Sequence, residues 1–275
     1  MKKIAVITGA SSGLGAEFAL QISHNYQSFF DELWLVARRK ENLDNLAGKI
    51  SFLSQGKKIK TISLDLSGKN GVNALNDIFI AEKQKLETEN KKLSISILVN
   101  NAGFGTYGPF EKTPVEKEMQ MVDLNCMTVT GICGISLPFM NENSIIINTS
   151  SLAAFMPLGN FAVYAASKSF VLSFSIALAA ELKEKGIKVC ALCPGSVSTE
   201  FANVASNGVR KEVKGGIAPQ KVVEHCLKQA YKGKKTSLYR FKWRFTAFLS
   251  RFVGRFFVAE FTYKYHKRPY DYGNR

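Results

Sequence analysis

The sequence feature that most constrains the fold is a short apolar run near the N-terminus that ends in a glycine-rich turn. Residues 3–7 have the pattern of a buried parallel strand, and Thr8 and Gly9 begin the turn directly after it. Glycines at positions 9, 13 and 15 let the backbone approach a bound group closely. A helix that begins near Gly13 would offer its N-terminal amides to a phosphate. The start of the chain therefore predicts a nucleotide-binding strand, turn and helix.

Further apolar runs alternate with helical stretches along the chain. Strands are predicted at residues 33–37, 59–64, 96–99, 144–149 and 187–192. Helices are predicted at 69–91, 115–140 and 219–231, and a long buried helix is predicted to contain Tyr164, Lys168 and the apolar run at 170–178. This alternation is typical of an α/β fold with a doubly wound parallel sheet. A length of 275 residues is within the range of a single domain of this kind.

The composition is that of a soluble globular protein, with 46% hydrophobic and 21% charged residues. Nothing at the N-terminus resembles a signal peptide, so we expect a cytoplasmic location. The five scattered cysteines favour reduced thiols over a disulfide framework. Cys190 and Cys193 have metal-ligand spacing, but they lie in a predicted strand and are interpreted as core residues. The sequence therefore predicts no metal site.

Tyr164 and Lys168 are four residues apart at the start of a long apolar helical pattern. Residues with this spacing lie on one face of a helix, so the phenol and the ammonium can share a site. An adjacent ammonium lowers the pKa of a tyrosine, which would fit Tyr164 for general acid or base chemistry on an alcohol or a ketone.

These residues, taken with others, carry a family resemblance. Ser151, Tyr164 and Lys168 resemble the catalytic set of the short-chain dehydrogenases/reductases, and Asn125 matches a further residue of that set. The matching cofactor motifs contain Gly9, Ser11, Ser12, Gly13, Leu14, Gly15, Asp65, Leu66, Asn101, Ala102, Gly103, Pro194, Gly195, Val197 and Thr199. The resemblance covers roughly residues 1–200 and implies a Rossmann-type dinucleotide-binding and catalytic domain, which we place at 1–237.

The resemblance also implies residue roles. Tyr164 would exchange a proton with the substrate oxygen, Ser151 would hydrogen-bond that oxygen, and Lys168 would lower the tyrosine pKa and hold the nicotinamide ribose. Asn125 would sustain a proton relay to solvent, although an asparagine can equally kink its helix. Asp65 and Leu66 would border the adenine, the turn at Asn101 would support the sheet beside the cofactor, and Val197 and Thr199 would contact the carboxamide. A segment at about 196–217 would close over the substrate.

The end of the second predicted strand indicates the cofactor. An NAD-preferring protein usually carries an acidic residue there, whereas this chain has Arg38 and Arg39. A guanidinium can pair with a 2′-phosphate, so the sequence predicts NADP(H) with Arg38 as the main contact. The alternative is that both arginines belong to a solvated loop.

The net charge of +15 is concentrated after Gly208, where 17 Lys and Arg stand against 4 Asp and Glu. Within this region, residues 238–275 form a basic aromatic extension, for which we predict one amphipathic helix at 238–258. Its arginines (Arg240, Arg244, Arg251 and Arg255) and its apolar residues (Phe241, Phe245, Phe248, Leu249, Phe252 and Phe256) fall on opposite sides. The apolar side would pack on the domain and roof the pocket, form a subunit contact, or lie at a membrane interface. Charge without a nucleic-acid-binding motif does not favour nucleic acid as a partner.

We therefore expect an NADP(H)-dependent oxidoreductase that interconverts a secondary alcohol and a ketone. Apolar residues around the predicted site suggest a bulky substrate such as a hydroxysteroid: Phe104, Phe155, Met156, Leu158, Phe161, Phe201 and Val204. Acyl or small carbonyl compounds are the alternative substrates, and a non-catalytic NADPH sensor is the alternative function. By resemblance to the family, a homo-oligomer is expected.

Overall fold

The computed structural model describes residues 1–53, 56–211, 213 and 215–273. Within them, seven parallel strands form a sheet in the order β3-β2-β1-β4-β5-β6-β7. The strands are β1 (Lys2–Thr8), β2 (Glu32–Ala37), β3 (Lys58–Ser63), β4 (Leu93–Asn100), β5 (Ile145–Thr149), β6 (Lys188–Leu192) and β7 (Thr236–Ser237). The strand order reverses direction beside β1, which is where a doubly wound sheet opens a crevice for ligands.

Helices cover both faces of the sheet. They are α1 (Gly13–Asn25), α2 (Lys40–Leu53), α3 (Gly68–Thr88), α4 (Val115–Val122), α5 (Thr128–Ser136), α6 (Ala162–Glu181), α7 (Phe201–Ala205), α8 (Pro219–Tyr231), α9 (Phe241–Leu249) and α10 (Arg255–Tyr265). Side chains of β1 alternate between two hydrophobic clusters: Ala5 and Ile7 pack toward α1, α2 and α8, and Ile4 and Val6 pack toward α3, α5 and α6. The predicted α/β fold with a doubly wound parallel sheet is confirmed.

The helix predicted at 115–140 is interrupted at its centre. α4 and α5 are joined by a π-helical turn at Asp123–Met127, and a 3₁₀ turn at Leu137–Phe139 ends the segment. Insertions of this kind bend a helix and often lie at functional sites. Asn125 is in the π-helical turn.

Two helical segments, Val115–Phe139 and Ala162–Glu181, are long and apolar enough to span a membrane by length and composition. Both pack on the sheet: Leu124, Ile132 and Leu178 are buried in one of its hydrophobic clusters. Apolar helices that cover a parallel sheet have this composition, and we describe them as core helices.

The single helix predicted at 238–258 is wrong. The segment forms two helices, and the turn between α9 and α10 contains Arg251 and Gly254. Gly254 precedes α10 in an extended conformation, and glycine is a poor residue inside a helix. The predicted arginine and aromatic stripes therefore do not lie along one axis. Of the predicted extension, residues 274 and 275 lie outside the described residues.

Candidate active site

A cleft of about 1090 Å³ opens at the carboxyl ends of the parallel strands. The loops that follow β1, β2, β4, β5 and β6 all contribute to its lining. Each predicted cofactor residue except Gly15 lines this cleft, as do Ser151, Tyr164 and Lys168. Sequence motifs that are up to 190 residues apart therefore meet in one site, because parallel strands bring their carboxyl ends to the same edge of the sheet.

The glycine-rich loop after β1 has the close backbone packing expected of a phosphate-binding turn. Gly9 has a φ of +64°, and a Cβ atom there would lie 2.8 Å from the Ala102 Cα. Gly13 also has a positive φ and begins α1, whose N-terminal amides face the cleft. Gly15 lies behind the loop, where a Cβ would be 2.1 Å from the Gly9 carbonyl oxygen. Gly15 thus permits helix packing and does not contact the cleft, contrary to the expectation of a cofactor contact.

The turn after β4 is fastened to this loop. The Thr8 hydroxyl accepts hydrogen bonds from the backbone amides of Asn101 (2.9 Å) and Ala102 (3.1 Å). The Asn101 side-chain amide donates to the carbonyl oxygens of Thr8 and Gly9, both at 3.3 Å. Asn101 therefore fixes the shape of the cofactor loop in addition to lining the cleft.

Two guanidinium groups lie at the end of β2, where a 2′-phosphate would be recognised. Arg39 donates to the Ser12 hydroxyl at 2.7 Å, to the Ser11 hydroxyl at 3.3 Å and to the Glu200 carboxylate at 3.0 Å. The Ser67 hydroxyl lowers the pKa of the Asp65 carboxyl by hydrogen bonding, and the Arg38 charge lowers it further. A cradle of glycine backbone, serine hydroxyls and two arginines fits a phosphorylated dinucleotide.

Ser151, Tyr164 and Lys168 converge in the middle of the cleft. Tyr164 is on the first turn of α6, and its hydroxyl forms a hydrogen bond with that of Ser151. The Ser151 Oγ accepts the Ala153 amide at 3.1 Å, which fixes the hydroxyl after β5. The Lys168 Nζ donates to the Thr149 carbonyl at 2.9 Å and lies 5.7 Å from the centre of the Tyr164 ring. A proton donor, a second hydroxyl and a cation thus share one site.

The electrostatics of Tyr164 differ from the expectation for a simple tyrosine and lysine pair. Burial raises the pKa of Tyr164, and the groups that oppose this rise are the Ser151 hydroxyl and the Arg268 charge. Burial also lowers the pKa of Lys168 to about 8. The Lys168 ammonium donates to the Thr149 carbonyl, and the predicted lowering of the tyrosine pKa by Lys168 stays a prediction.

Asn125 is fully buried and does not line the cleft. Its side-chain amide donates to the Phe104 carbonyl (2.9 Å) and to the Ser167 hydroxyl (3.1 Å), and its Oδ1 accepts the Phe104 amide (3.2 Å). A Cβ added to Gly103 would lie 2.7 Å from the Asn125 Oδ1 and 3.4 Å from the Lys168 Nζ. Asn125 is therefore separated from the lysine by the Gly103 backbone, and its role in a proton relay stays a prediction.

Aromatic rings surround Tyr164 at the substrate end. The Phe161 ring is stacked on that of Tyr164 with 4.1 Å between centroids, and the Phe201 ring lies 5.3 Å from it. Of the predicted apolar lining, Phe104, Met156, Leu158, Phe161, Phe201 and Val204 border the cleft. Phe155 does not, because it packs against a separate cluster that contains Leu172. Within the predicted closing segment 196–217, Glu212 and Lys214 lie outside the described residues.

The C-terminal segment contributes to the site. The residues that line the cleft are Arg240, Lys242, Trp243, Thr246, Tyr265, His266, Lys267 and Arg268. The first four belong to residues 238–258, and their position agrees with the placement in which this segment packs on the domain and roofs the pocket. The Arg268 guanidinium lies 4.7 Å from the Phe161 ring centre, on the aromatic group that contains Tyr164. Sequence reasoning missed residues 265–268, since no motif marks them and only the end of α10 and the chain after it bring them to the site.

The returning tail is anchored to the substrate side of the cleft. The Tyr272 hydroxyl donates to the Ala205 carbonyl at 2.9 Å, and the Asn207 amide donates to the Asp271 carbonyl at 2.7 Å. A Cβ on Gly108 would lie 3.2 Å from the Tyr270 ring. The end of the chain therefore holds α7 and the loop after β4 together beside the catalytic tyrosine.

Comparison with known proteins agrees with this geometry. The sequence model of the family described as short chain dehydrogenase matches residues 3–209. The chain belongs to the short-chain dehydrogenase family. The predicted family and fold are confirmed. The chain spans between about half and three quarters of the length of the curated relatives that it matches.

Two curated relatives and one solved structure show its range of similarity. A very-long-chain 3-oxoacyl-CoA reductase of Neurospora crassa is 32% identical over 204 residues, which cover 73% of this chain and 58% of the relative. The 17-beta-hydroxysteroid dehydrogenase type 3 of Danio rerio is 32% identical over 241 residues, or 85% of this chain and 72% of the relative. A short-chain dehydrogenase from Sphingobium yanoikuyae, in complex with NADPH, is 26% identical with a TM-score of 0.75 and coverage of 90% and 92%.

Proposed function

We propose that this dehydrogenase interconverts a secondary alcohol and a ketone with NADP(H), on a bulky apolar substrate such as a hydroxysteroid. The observation that carries the proposal is the convergence of Ser151, Tyr164 and Lys168 below an aromatic wall formed by Phe161 and Phe201. A planar apolar skeleton would fill the space beside these rings and exclude water from the reacting carbonyl. The Danio rerio relative, named as a hydroxysteroid dehydrogenase, supports this substrate class.

NADPH supplies a hydride to the carbonyl carbon when it is bound. The Tyr164 hydroxyl donates its proton to the carbonyl oxygen, and the Ser151 hydroxyl holds that oxygen by a hydrogen bond. The Lys168 ammonium is buried next to the tyrosine and would hold the nicotinamide ribose hydroxyls. In the direction of alcohol oxidation, Tyr164 takes the proton back.

Cofactor preference is assigned to the arginines after β2. Arg38 remains the proposed main contact with the 2′-phosphate, since Arg39 already pairs with Glu200 and the loop serines. The NADPH complex of the Sphingobium yanoikuyae enzyme supports the same preference. Both side chains line the cleft, which places their charge beside the adenosine end of the site.

A second substrate class is favoured by the basic residues of the cleft lining that lie outside the predicted cofactor and catalytic motifs. They include Arg210, Arg240, Lys242, Lys267 and Arg268. Such a lining suits a 3-oxoacyl chain carried on an anionic phosphate-containing group, because cations raise the local concentration of anions. The Neurospora crassa relative, named as a 3-oxoacyl-CoA reductase, makes this the alternative to a steroid.

Homo-oligomer formation stays a prediction that surface composition supports. Met119, Val122 and Met127 are exposed on the α4 segment, and Phe170 and Ile176 are exposed on α6. Apolar side chains on two adjacent helices are suited to a subunit contact. The cytoplasmic location also stays a prediction.

The deciding experiment is NADPH and NADH oxidation by the purified protein against ketosteroids, 3-oxoacyl thioesters and small ketones. We expect turnover of a bulky ketone with NADPH and a loss of about 100- to 10,000-fold in the Tyr164→Phe variant, the range of general acid catalysis. Tyr26→Phe, a change outside the cleft, is the matched control. NADPH binding without turnover of any carbonyl compound would instead favour the sensor function.

A further inference from the structure

The C-terminal helices expose an aromatic surface that the dehydrogenase reaction does not use. In the described part of the extension, nine aromatic side chains are between 42% and 79% exposed. This aromatic surface consists of Phe241, Phe245, Phe248, Phe252, Phe256, Phe257, Phe261, Tyr263 and Tyr265. Several rings pair along the helices, as Phe241 does with Phe245 (6.1 Å between centroids) and Phe257 with Phe261 (6.2 Å), so each helix carries a run of neighbouring exposed rings.

The extent of this surface is unusual for a folded monomer. Because an aromatic side chain presents about 150–250 Å², nine that are on average more than half exposed amount to roughly 1,000 Å². Contiguous exposed apolar patches on monomers are typically about 300–600 Å², and larger ones mark binding surfaces. The aromatic surface therefore has the composition of a binding surface.

The exposure does not result from loose attachment of the helices. Trp243 of α9 is buried against Gly195, where a Cβ would lie 2.5 Å from the indole ring. Thr262 of α10 accepts the Gly159 amide at 2.9 Å, and the Asn160 side-chain amide donates to the Tyr263 carbonyl at 3.0 Å. Each helix is thus held by its inner face, whereas the nine rings of the aromatic surface stay between 42% and 79% exposed.

Charge determines which partner fits. Between residues 240 and 268 the sequence has eight Lys and Arg and one Glu, a balance of +7. That glutamate, Glu260, already pairs with Lys264 at 2.7 Å. A second copy of the chain would bring the same positive charge against it, and like charges across a contact are unfavourable. A partner with an apolar interior and an anionic surface is complementary.

We propose that the aromatic surface docks on the interface of a lipid bilayer that contains anionic lipids. Aromatic rings would enter the boundary between headgroups and acyl chains, and Arg251, Arg255 and neighbouring cations would contact lipid phosphates. This is peripheral attachment along the plane of the membrane and not a transmembrane span, since five Lys and Arg fall within residues 238–258.

The cleft is bordered by the same helices that would attach the protein to the membrane. Lys242, Trp243 and Thr246 of α9 and Tyr265 at the end of α10 belong to the cleft lining. The helices that carry the aromatic surface therefore also border the active site. A docked enzyme would receive an apolar alcohol or ketone from the bilayer without transfer through water, which is costly for apolar surface.

Vesicle binding tests the proposal without any turnover of substrate. The protein is sedimented with vesicles of phosphatidylcholine alone and with vesicles in which about one lipid in three is anionic phosphatidylglycerol. We expect binding to the anionic vesicles. A Phe252→Ser, Phe256→Ser, Phe257→Ser variant should lose at least about 100-fold in partition coefficient, because three rings are withdrawn from the apolar phase. Arg251→Gln with Arg255→Gln should lose about 30-fold, and less at high salt.

Matched controls carry the same changes elsewhere on the surface. Phe52→Ser, Phe110→Ser and Met119→Ser remove three exposed apolar side chains, and Lys85→Gln with Lys185→Gln removes two exposed charges. These controls should bind vesicles as the unmodified protein does. Failure of the unmodified protein to sediment, equal binding by the Phe252 variant, or an equal loss in the controls would overturn the proposal. A further outcome would also overturn the proposal: the protein forms a dimer without lipid, the variant with the three serine substitutions at Phe252, Phe256 and Phe257 does not, and neither protein binds vesicles. The partner of the aromatic surface would then be a second copy of the chain.

Discussion

Replacing Lys168 by methionine should stabilise this dehydrogenase while it removes activity. The Lys168 side chain is buried on α6, and its Nζ has one backbone acceptor, the Thr149 carbonyl, at 2.9 Å. Burial lowers the pKa of Lys168 from 10.5 to about 8. Methionine has a similar volume and no charge, so it relieves the cost of a buried ammonium.

The magnitude follows from the linkage between proton binding and folding. A pKa lowered by between two and three units corresponds to about 3 kcal/mol at 1.36 kcal/mol per unit. Since the folded state binds this proton more weakly than the unfolded state, the cost is fully present below pH 8. It disappears as the pH rises from 8 to 10.5, the window in which the unfolded chain still holds the proton and the folded chain does not.

Urea denaturation between pH 6.5 and 10.5 measures this effect. We expect the free energy of unfolding of Lys168→Met to exceed that of the unmodified protein by about 3 kcal/mol at pH 7, and the difference to shrink toward high pH. The lost hydrogen bond to Thr149 contributes a part that does not vary with pH, so the slope of the difference is the readout. Lys185→Met, on an exposed site, should show no such slope. If the difference in free energy of unfolding between Lys168→Met and the unmodified protein were the same at every pH, the conclusion that the buried Lys168 ammonium destabilises the fold would be refuted.

Three other changes test separate parts of the site. Arg38→Ser should raise the KM for NADPH by about 10- to 100-fold and leave that for NADH unchanged, since one charged hydrogen-bond donor to the 2′-phosphate is lost; steady-state kinetics with both cofactors decides this. Gly195→Ala should cost about 1–3 kcal/mol in urea denaturation, because its Cβ would meet the Trp243 ring at 2.5 Å, and an unchanged stability would show that α9 moves freely. Arg268→Gln should shift the pH profile of alcohol oxidation upward, since the Arg268 charge lowers the pKa of Tyr164, and an identical profile in the variant would contradict that role.

The catalytic centre was predictable because it depends on local spacing. Tyr164 and Lys168 share a helix, and the strand ends at Gly9, Asn101 and Pro194 carry recognisable turns, so each side chain could be assigned before its partners were known. Gly15 and Phe155 were predicted at the site but do not line the cleft. A motif or an apolar residue indicates proximity to a site, but the direction of packing depends on neighbours distant in sequence, namely the Gly9 carbonyl and the Leu172 cluster.

The sequence by itself determined the sheet, its alternation with helices, the cofactor loop and the catalytic trio, since hydrophobic periodicity and turn residues act over a few positions. Only the tertiary structure decided the shape of the C-terminal region. There, Gly254 lies between the two helices into which one amphipathic pattern is divided. Trp243 and Thr262 are buried and lie on the inner faces of these helices. In the tail that follows, the Arg268 guanidinium packs against the Phe161 ring. These outcomes depend on contacts between residues about 50 to 110 positions apart, and no local pattern encodes which side of an aromatic helix is buried and which is left exposed.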